Sequence, residues 1–173
     1  PIRNIQIRIA DDLGRELPPG SDGEILVKGP GVMKGYHNRQ YLTAEVMADG
    51  WFRTGDIGRL DAEGFLWITG RKKEMLIVGG ENVFPREIEN VLLEHPAVAE
   101  AAVIGEPDPL RGEVSVAFVV CREGATATEA DLRGFAREHL AGHKVPRTIR
   151  IVPDLPRGPT GKVLKRSLRG EPR

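Results

Sequence analysis

The sequence predicts an α+β protein in two parts: a β-rich, barrel-like subdomain over residues 1–71, and a small α+β domain over 72–173 with a three-stranded sheet and flanking helices. Three observations carry that expectation. Through the first seventy residues, apolar and polar positions alternate at period two between turns rich in Gly, Pro and Asp. The grammar changes at the charged run Gly70-Arg71-Lys72-Lys73-Glu74 and the flexible pair Gly79-Gly80. Beyond residue 84 the pattern reads helix, strand, strand, helix, strand.

Ile5 to Ile9 alternate as a half-buried strand does, and Asp11-Asp12-Leu13-Gly14 supplies a turn. Gly23 to Lys28 repeats the strand and closes on Gly29-Pro30. Trp51 to Thr54, Ile57 to Leu60 and Phe65 to Ile68 continue it, with Asp61-Ala62-Glu63-Gly64 as a hairpin turn, so the first part reads as all-β. Met75 to Val78 follows the charged run. A helix is predicted over Pro85 to Leu93: proline suits its start, early glutamates suit the dipole, and Ile88, Val91 and Leu92 share a face. His95-Pro96 ends it. Val98 to Gly105 and Glu113 to Val120 are rich in strand formers, Thr128 to Leu140 places Leu132, Phe135, Ala136 and Leu140 on one helical face, and Ile149 to Val152 supplies a third strand.

Composition narrows the class. With 40% hydrophobic and 29% charged residues, the chain can bury a core. Its 25 basic and 25 acidic side chains cancel, so no global field favours nucleic acid or an anionic membrane. The end is locally basic, with Arg150, Arg157, Lys162, Lys165, Arg166, Arg169 and Arg173 against Asp154 and Glu171, which suits a solvated surface or one facing a phosphate. No transmembrane segment of ~20 apolar residues is present and the start is no signal peptide, so a cytoplasmic setting is expected. The first residue is Pro1, in apparent mid-strand, and the expectation is a piece of a longer polypeptide. Cys121 is the only cysteine and reads as a small core or edge residue.

Candidate chemistry gathers at three places. Leu155 to Arg166 is an exposed loop stiffened by Pro156, Gly158, Pro159 and Gly161 that presents Lys162; such a cation can neutralise a carboxylate and a phosphate brought together, or simply be solvated. It is no P-loop, because Val163 stands where a hydroxyl is required. Thr54-Gly55-Asp56 sets a carboxylate at a strand end, suited either to accept both hydrogen bonds of a ribose diol or to cap a turn. Arg71 either completes a nucleotide site or is a surface cation. His139 and His143 stand four apart, but Gly142 intervenes and no third ligand is evident, so no metal site is expected.

Taken in order, these segments resemble the adenylate-forming superfamily of acyl-CoA synthetases, beetle luciferases and peptide synthetase adenylation domains. Gly23 to Pro30, with Met33-Lys34-Gly35-Tyr36 and Asn38, resembles the last β-rich subdomain of that family's large N-terminal domain. Asp49-Gly50-Trp51-Phe52-Arg53-Thr54-Gly55-Asp56 resembles its ribose-binding motif, which implies Asp56 as the ribose ligand. Gly70 to Glu74, then Gly79-Gly80-Glu81-Asn82-Val83-Phe84-Pro85, resembles its hinge and following hairpin, which implies that Arg71 contacts AMP, Lys73 is the hinge, and Gly79 and Gly80 line the CoA pantetheine path. Pro159-Thr160-Gly161-Lys162-Val163 resembles its C-terminal lysine motif, which implies Lys162 as the catalytic bridge between carboxylate and α-phosphate.

The resemblance implies a two-step ligase: a carboxylic acid and MgATP give acyl-AMP, then a thiol takes the acyl group, with the mobile C-terminal lid domain rotating between steps. ATP and Mg²⁺ are expected to be bound mainly by an N-terminal part outside this chain, leaving the chain alone inactive. A fatty-acid-CoA ligase is the leading expectation. An aryl-acid ligase, an adenylation domain loading a carrier-protein phosphopantetheine, and a non-catalytic docking module remain open. Pro156, four residues, then Gly161-Lys162 resembles the context in which such synthetases are acetylated, which implies a protein acetyltransferase acting on Lys162.

Overall fold

The computed structural model describes residues 3–170, which separate into two compact units, one ending at Lys73 and the next starting at Glu74.

The first unit is a five-stranded antiparallel sheet of β1 (Gln6–Ala10), β2 (Gly23–Lys28), β3 (Met47–Ala48), β4 (Trp51–Leu60) and β5 (Leu66–Arg71), ordered β1-β2-β4-β3 with β5 also on β4. Ile9, Ala10, Ile25, Leu26 and Ile57 form its buried apolar set. The all-β expectation is corrected by helix α1 (Gln40–Val46), whose seven residues include none that is buried. It has no apolar stripe to betray it; Thr43 Oγ1 instead accepts from the Tyr36 N–H at 2.9 Å and donates to the Arg39 carbonyl at 3.1 Å. The Asp61–Gly64 turn forms as expected. Asp61 accepts from the Trp67 indole at 2.9 Å and from the Glu63 and Phe65 N–H groups, which together hold its carboxyl below the usual range.

The segments expected as two strands, Trp51–Thr54 and Ile57–Leu60, are one strand with a bulge. Glu24 pairs with Ile57 but Leu26 pairs with Arg53, so Ile25 alone faces Thr54, Gly55 and Asp56. Gly55 turns the chain there at φ +71°, a conformation a side chain resists. Thr54 Oγ1 donates to the Ile25 carbonyl at 2.8 Å and accepts from the Asp56 N–H at 3.1 Å, which satisfies the kink.

The second unit holds β6 (Leu76–Val78), β7 (Glu81–Val83), α2 (Pro85–Glu94), β8 (Val98–Asp108), β9 (Gly112–Cys121), α3 (Glu129–His139), β10 (Thr148–Ile151) and α4 (Lys165–Leu168). Its sheet has five strands, not three, because the short hairpin β6–β7 joins it where Val78 meets Gly112. Three-residue strands are too short for a period-two signal. β9 is central, antiparallel to β8 and parallel to β10.

Period two divides this sheet's side chains between two buried faces. Val103, Ala117 and Val119 pack with Ile88 and Leu92 of α2 and Leu132 and Ala136 of α3. Their neighbours Ala102, Ile104, Val116 and Phe118 pack on the opposite face with Leu155, Val163 and Leu168. At ~1.5–3 kcal/mol for each fully buried aliphatic side chain, the second face is a substantial anchor for the chain's last segment. Thr128 caps α3 reciprocally: its hydroxyl accepts from the Asp131 N–H and its own N–H donates to the Asp131 carboxylate. Among the described residues no helix is long and apolar enough to cross a membrane.

Candidate active site

The β4–β5 register sets Asp56 opposite Arg71, and their side chains form an ion pair at 2.9 Å while staying partly exposed. The expected strand-end position of Asp56 is corrected: it lies within β4, carried outward by the bulge. Beside the pair is a cavity of about 400 Å³ lined by Thr54, Gly55, Arg71, Lys72 and Lys73. A carboxylate beside such a hollow and a guanidinium lining it can accept from a diol and donate to a phosphate.

Beneath this pair lies a charge network that the sequence reading did not single out. Glu24 is 5% exposed, and its carboxylate meets Arg53 at 3.0 Å and Lys72 at 3.3 Å. Lys72 also reaches Asp12 at 2.7 Å; that hydrogen bond, with the Glu24 charge, raises the Lys72 pKa, and the same hydrogen bond with the Lys72 charge lowers that of Asp12. The network ties the strand end that carries Arg71 back to β2. A glutamate between Gly23 and Ile25 in a strand buried over Glu24-Ile25-Leu26 was the available signal, since a buried carboxylate requires cations.

Lys73 is exposed in the 3-10 turn Lys72–Glu74. Gly79 and Gly80, read from sequence as flexible, are the two central residues of the tight β6–β7 turn, with φ +61° and +88°. A Cβ on either would meet nothing within 4 Å, so backbone conformation demands glycine there and the turn's surface is open.

Lys162 sits at the end of a braced hairpin. The Gly158 N–H donates to the Lys162 carbonyl at 2.9 Å, Gly161 N–H to the Gly158 carbonyl at 2.9 Å, and Leu164 N–H to the Pro156 carbonyl at 2.7 Å. Arg157 crosses the hairpin to the Gly161 carbonyl at 3.0 Å and pairs with Glu100. Leu155 and Val163 fix its base to the sheet. The Lys162 side chain is exposed and forms no ion pair among the described residues.

A second cavity in this unit, about 430 Å³, was not legible beforehand. Arg111, Arg133, Arg137, His143 and Arg147 line it around Ser115. Ser115 is 2% exposed, and its hydroxyl, like Arg133 Nε, is buried without a hydrogen-bond partner. Asp108, 3.8 Å from Arg147, and Glu129, paired with Arg133, offset part of the positive charge. Such a hollow suits a phosphorylated ligand. His139 does not join His143 here; it stacks on Phe135 with centroids 4.3 Å apart. Among the described residues no group of three His, Cys, Asp or Glu could hold a metal ion.

Comparison with known proteins names the class to which this fold belongs. A model of the AMP-binding enzyme C-terminal domain matches residues 87–162, and one of AMP-binding enzymes matches residues 1–37. The chain belongs to the adenylate-forming superfamily. It is 48% identical over 163 residues to indoleacetate–CoA ligase of Aromatoleum aromaticum, covering 94% of this chain and 32% of that protein. It is 48% identical over 159 residues to a long-chain-fatty-acid–CoA ligase of Bacillus subtilis, covering 92% and 28%. Among solved structures, the amide bond synthetase McbA of Marinactinospora thermotolerans superposes with a TM-score of 0.93 at 42% identity, over 97% of this chain and 35% of that one. The o-succinylbenzoate CoA synthetase of Bacillus subtilis, in complex with ATP and magnesium ion, gives 0.88 at 41%, over 98% and 34%. The chain therefore spans about a third of the length of the relatives it matches.

Proposed function

We propose that this chain supplies the mobile lid and part of the nucleotide site of an ATP-dependent acid–CoA ligase. Residues through about 71 end the large domain and those from 72 form the lid. In this reading Asp56 accepts the ribose hydroxyls and Arg71 contacts the AMP phosphate. Lys162 places its ammonium between the substrate carboxylate and the α-phosphate, offsetting the repulsion of two anions. A carboxylate oxygen then bonds to the α-phosphorus, pyrophosphate leaves, and acyl-AMP results. Lys73 absorbs the rotation between steps, the Gly79–Gly80 turn lets the pantetheine arm pass close to backbone, and thiol attack on the acyl carbon releases AMP.

The observation that favours CoA over a carrier protein is the arginine-lined cavity. CoA carries a diphosphate and a 3′-phosphate beyond its pantetheine, whereas a carrier-bound phosphopantetheine brings no nucleotide to fill such a hollow. The relatives named above act on both aryl and fatty acids by their names. A fatty acid is the leading substrate, with an aryl acid close behind. ATP, used with Mg²⁺ held elsewhere in the protein, and CoA are the co-substrates.

The test is a two-stage assay of the complete enzyme that carries this chain. Pyrophosphate release with a panel of fatty and aryl acids should be followed by acyl transfer to CoA; transfer to a holo carrier protein or to an amine in its place would overturn the CoA reading. The 173-residue chain alone should release no pyrophosphate. Lys162 is exposed and forms no ion pair among the described residues, which also suits acetylation; acetyl-Lys162 should appear by mass spectrometry after treatment with an acetyltransferase, and turnover should fall with it.

A further inference from the structure

We propose that Lys165 is a positioning residue for Lys162, a role that rests on the adenylation reading above. Lys165 opens α4, three positions after Lys162. Its Nζ lies 2.8 Å from Glu89 Oε1 on α2 and 3.1 Å from Glu74 Oε2, the first residue of the second unit. The same Glu89 oxygen accepts the Val103 N–H of β8 at 2.8 Å, so one ammonium joins the lysine hairpin to a helix, to the central sheet and to the residue next to Lys73. Lys165 and Glu89 side chains are 25% and 16% exposed, which strengthens the attraction relative to a fully solvated pair.

The connection from Lys165 back to Lys162 is stiff. Val163 packs on the sheet and bridges Arg157, and Leu164 donates to the Pro156 carbonyl at 2.7 Å. A displacement at Lys165 is therefore passed to Lys162 with little slack. Arg157 braces the opposite strand of the hairpin through Glu100, so loss of Lys165 leaves the turn formed but held from one side only. Glu74 and Glu89 would then face each other without a cation. Their repulsion displaces the hairpin.

The experiment is Lys165→Met in the complete enzyme, with the two half-reactions measured apart: acid-dependent pyrophosphate exchange, and CoA acylation from synthetic acyl-AMP. A misplacement of an ångström at a reacting group costs on the order of 100-fold. The expected result is a fall of about that size in the rate of exchange, with KM for ATP and the acylation rate unchanged and Lys165→Arg restoring most of the loss. Unchanged exchange would overturn the proposal. So would an equal fall in both half-reactions with a lowered melting temperature, which marks a merely structural residue. Lys162→Ala run alongside separates the two claims: if it leaves exchange intact, the adenylation reading itself fails, and if only Lys165→Met is silent, the positioning role fails alone.

Discussion

The two units hold their working charges in opposite ways. In the first, three cations at or near the hollow beside Asp56 are paired: Arg71 with Asp56, Arg53 with Glu24, and Lys72 with Glu24 and Asp12. In the second, Lys162 forms no ion pair among the described residues, on a hairpin whose bracing falls on its neighbours, Arg157 and Lys165. Paired charges make a rigid receptor for a ligand that stays. A free ammonium on a rigid support suits a group that must meet two anions and then leave them, since no internal partner competes for it.

If that contrast is right, Lys162→Ala should give the largest effect, roughly 100- to 1,000-fold on pyrophosphate exchange, with acylation from acyl-AMP retained. Moving inward, Leu155→Ala empties the anchor below the hairpin and should lower the unit's stability by about 3 kcal/mol in urea unfolding. Asp56→Ala removes charge-assisted hydrogen bonds to the ribose and should raise KM for ATP about 10- to 30-fold, leaving exchange at saturating ATP much less affected. Equal losses for Asp56→Ala and Lys162→Ala in both kcat and KM would erase the distinction between receptor and visitor. Thr128→Ala, far from either site, should cost only about 1 kcal/mol through the lost helix cap.

The smallest expected effect concerns acid. Hydrogen bonds from Thr128, side chain first and then backbone, hold the Asp131 pKa below its ordinary value. A carboxyl whose pKa is lower folded than unfolded contributes stability above the unfolded value, about 3.9, and loses it as pH falls through the folded one. Asp131→Asn should therefore flatten the stability profile of the second unit below about pH 4 and leave its slope above that pH unchanged in acid titration followed by circular dichroism.

Much of this architecture could be read from residues alone, and the failures have physical causes. Turn chemistry at Asp61–Gly64 and the periodicity of Pro85–Glu94 and Glu129–His139 are local signals, and those elements appear where expected. Helix α1 escaped because it buries nothing, and β6–β7 because three residues show no period. Asp56 and Lys162 were visible through family motifs. The Asp56–Arg71 pairing was not, because it depends on a bulge that shifts register by residues no pattern counts. The arginine cavity draws on Arg111, Ser115, Arg133 and Arg147, which only the fold collects.

The mixed sheet of the second unit also imposes an order on its own assembly. β8 and β9 are neighbours in sequence and pair along nearly their whole length, a local contact that closes quickly. β10 pairs in parallel with β9 only after the chain has crossed from Cys121 to Thr148 through α3, a slower closure. The face formed by Ala102, Ile104, Val116 and Phe118 is thus present before the segment of Leu155 and Val163 arrives to cover it. In chain order the strands of the second unit and its helices α2 and α3 precede the Lys162 hairpin, so the hairpin docks on a face that is already built.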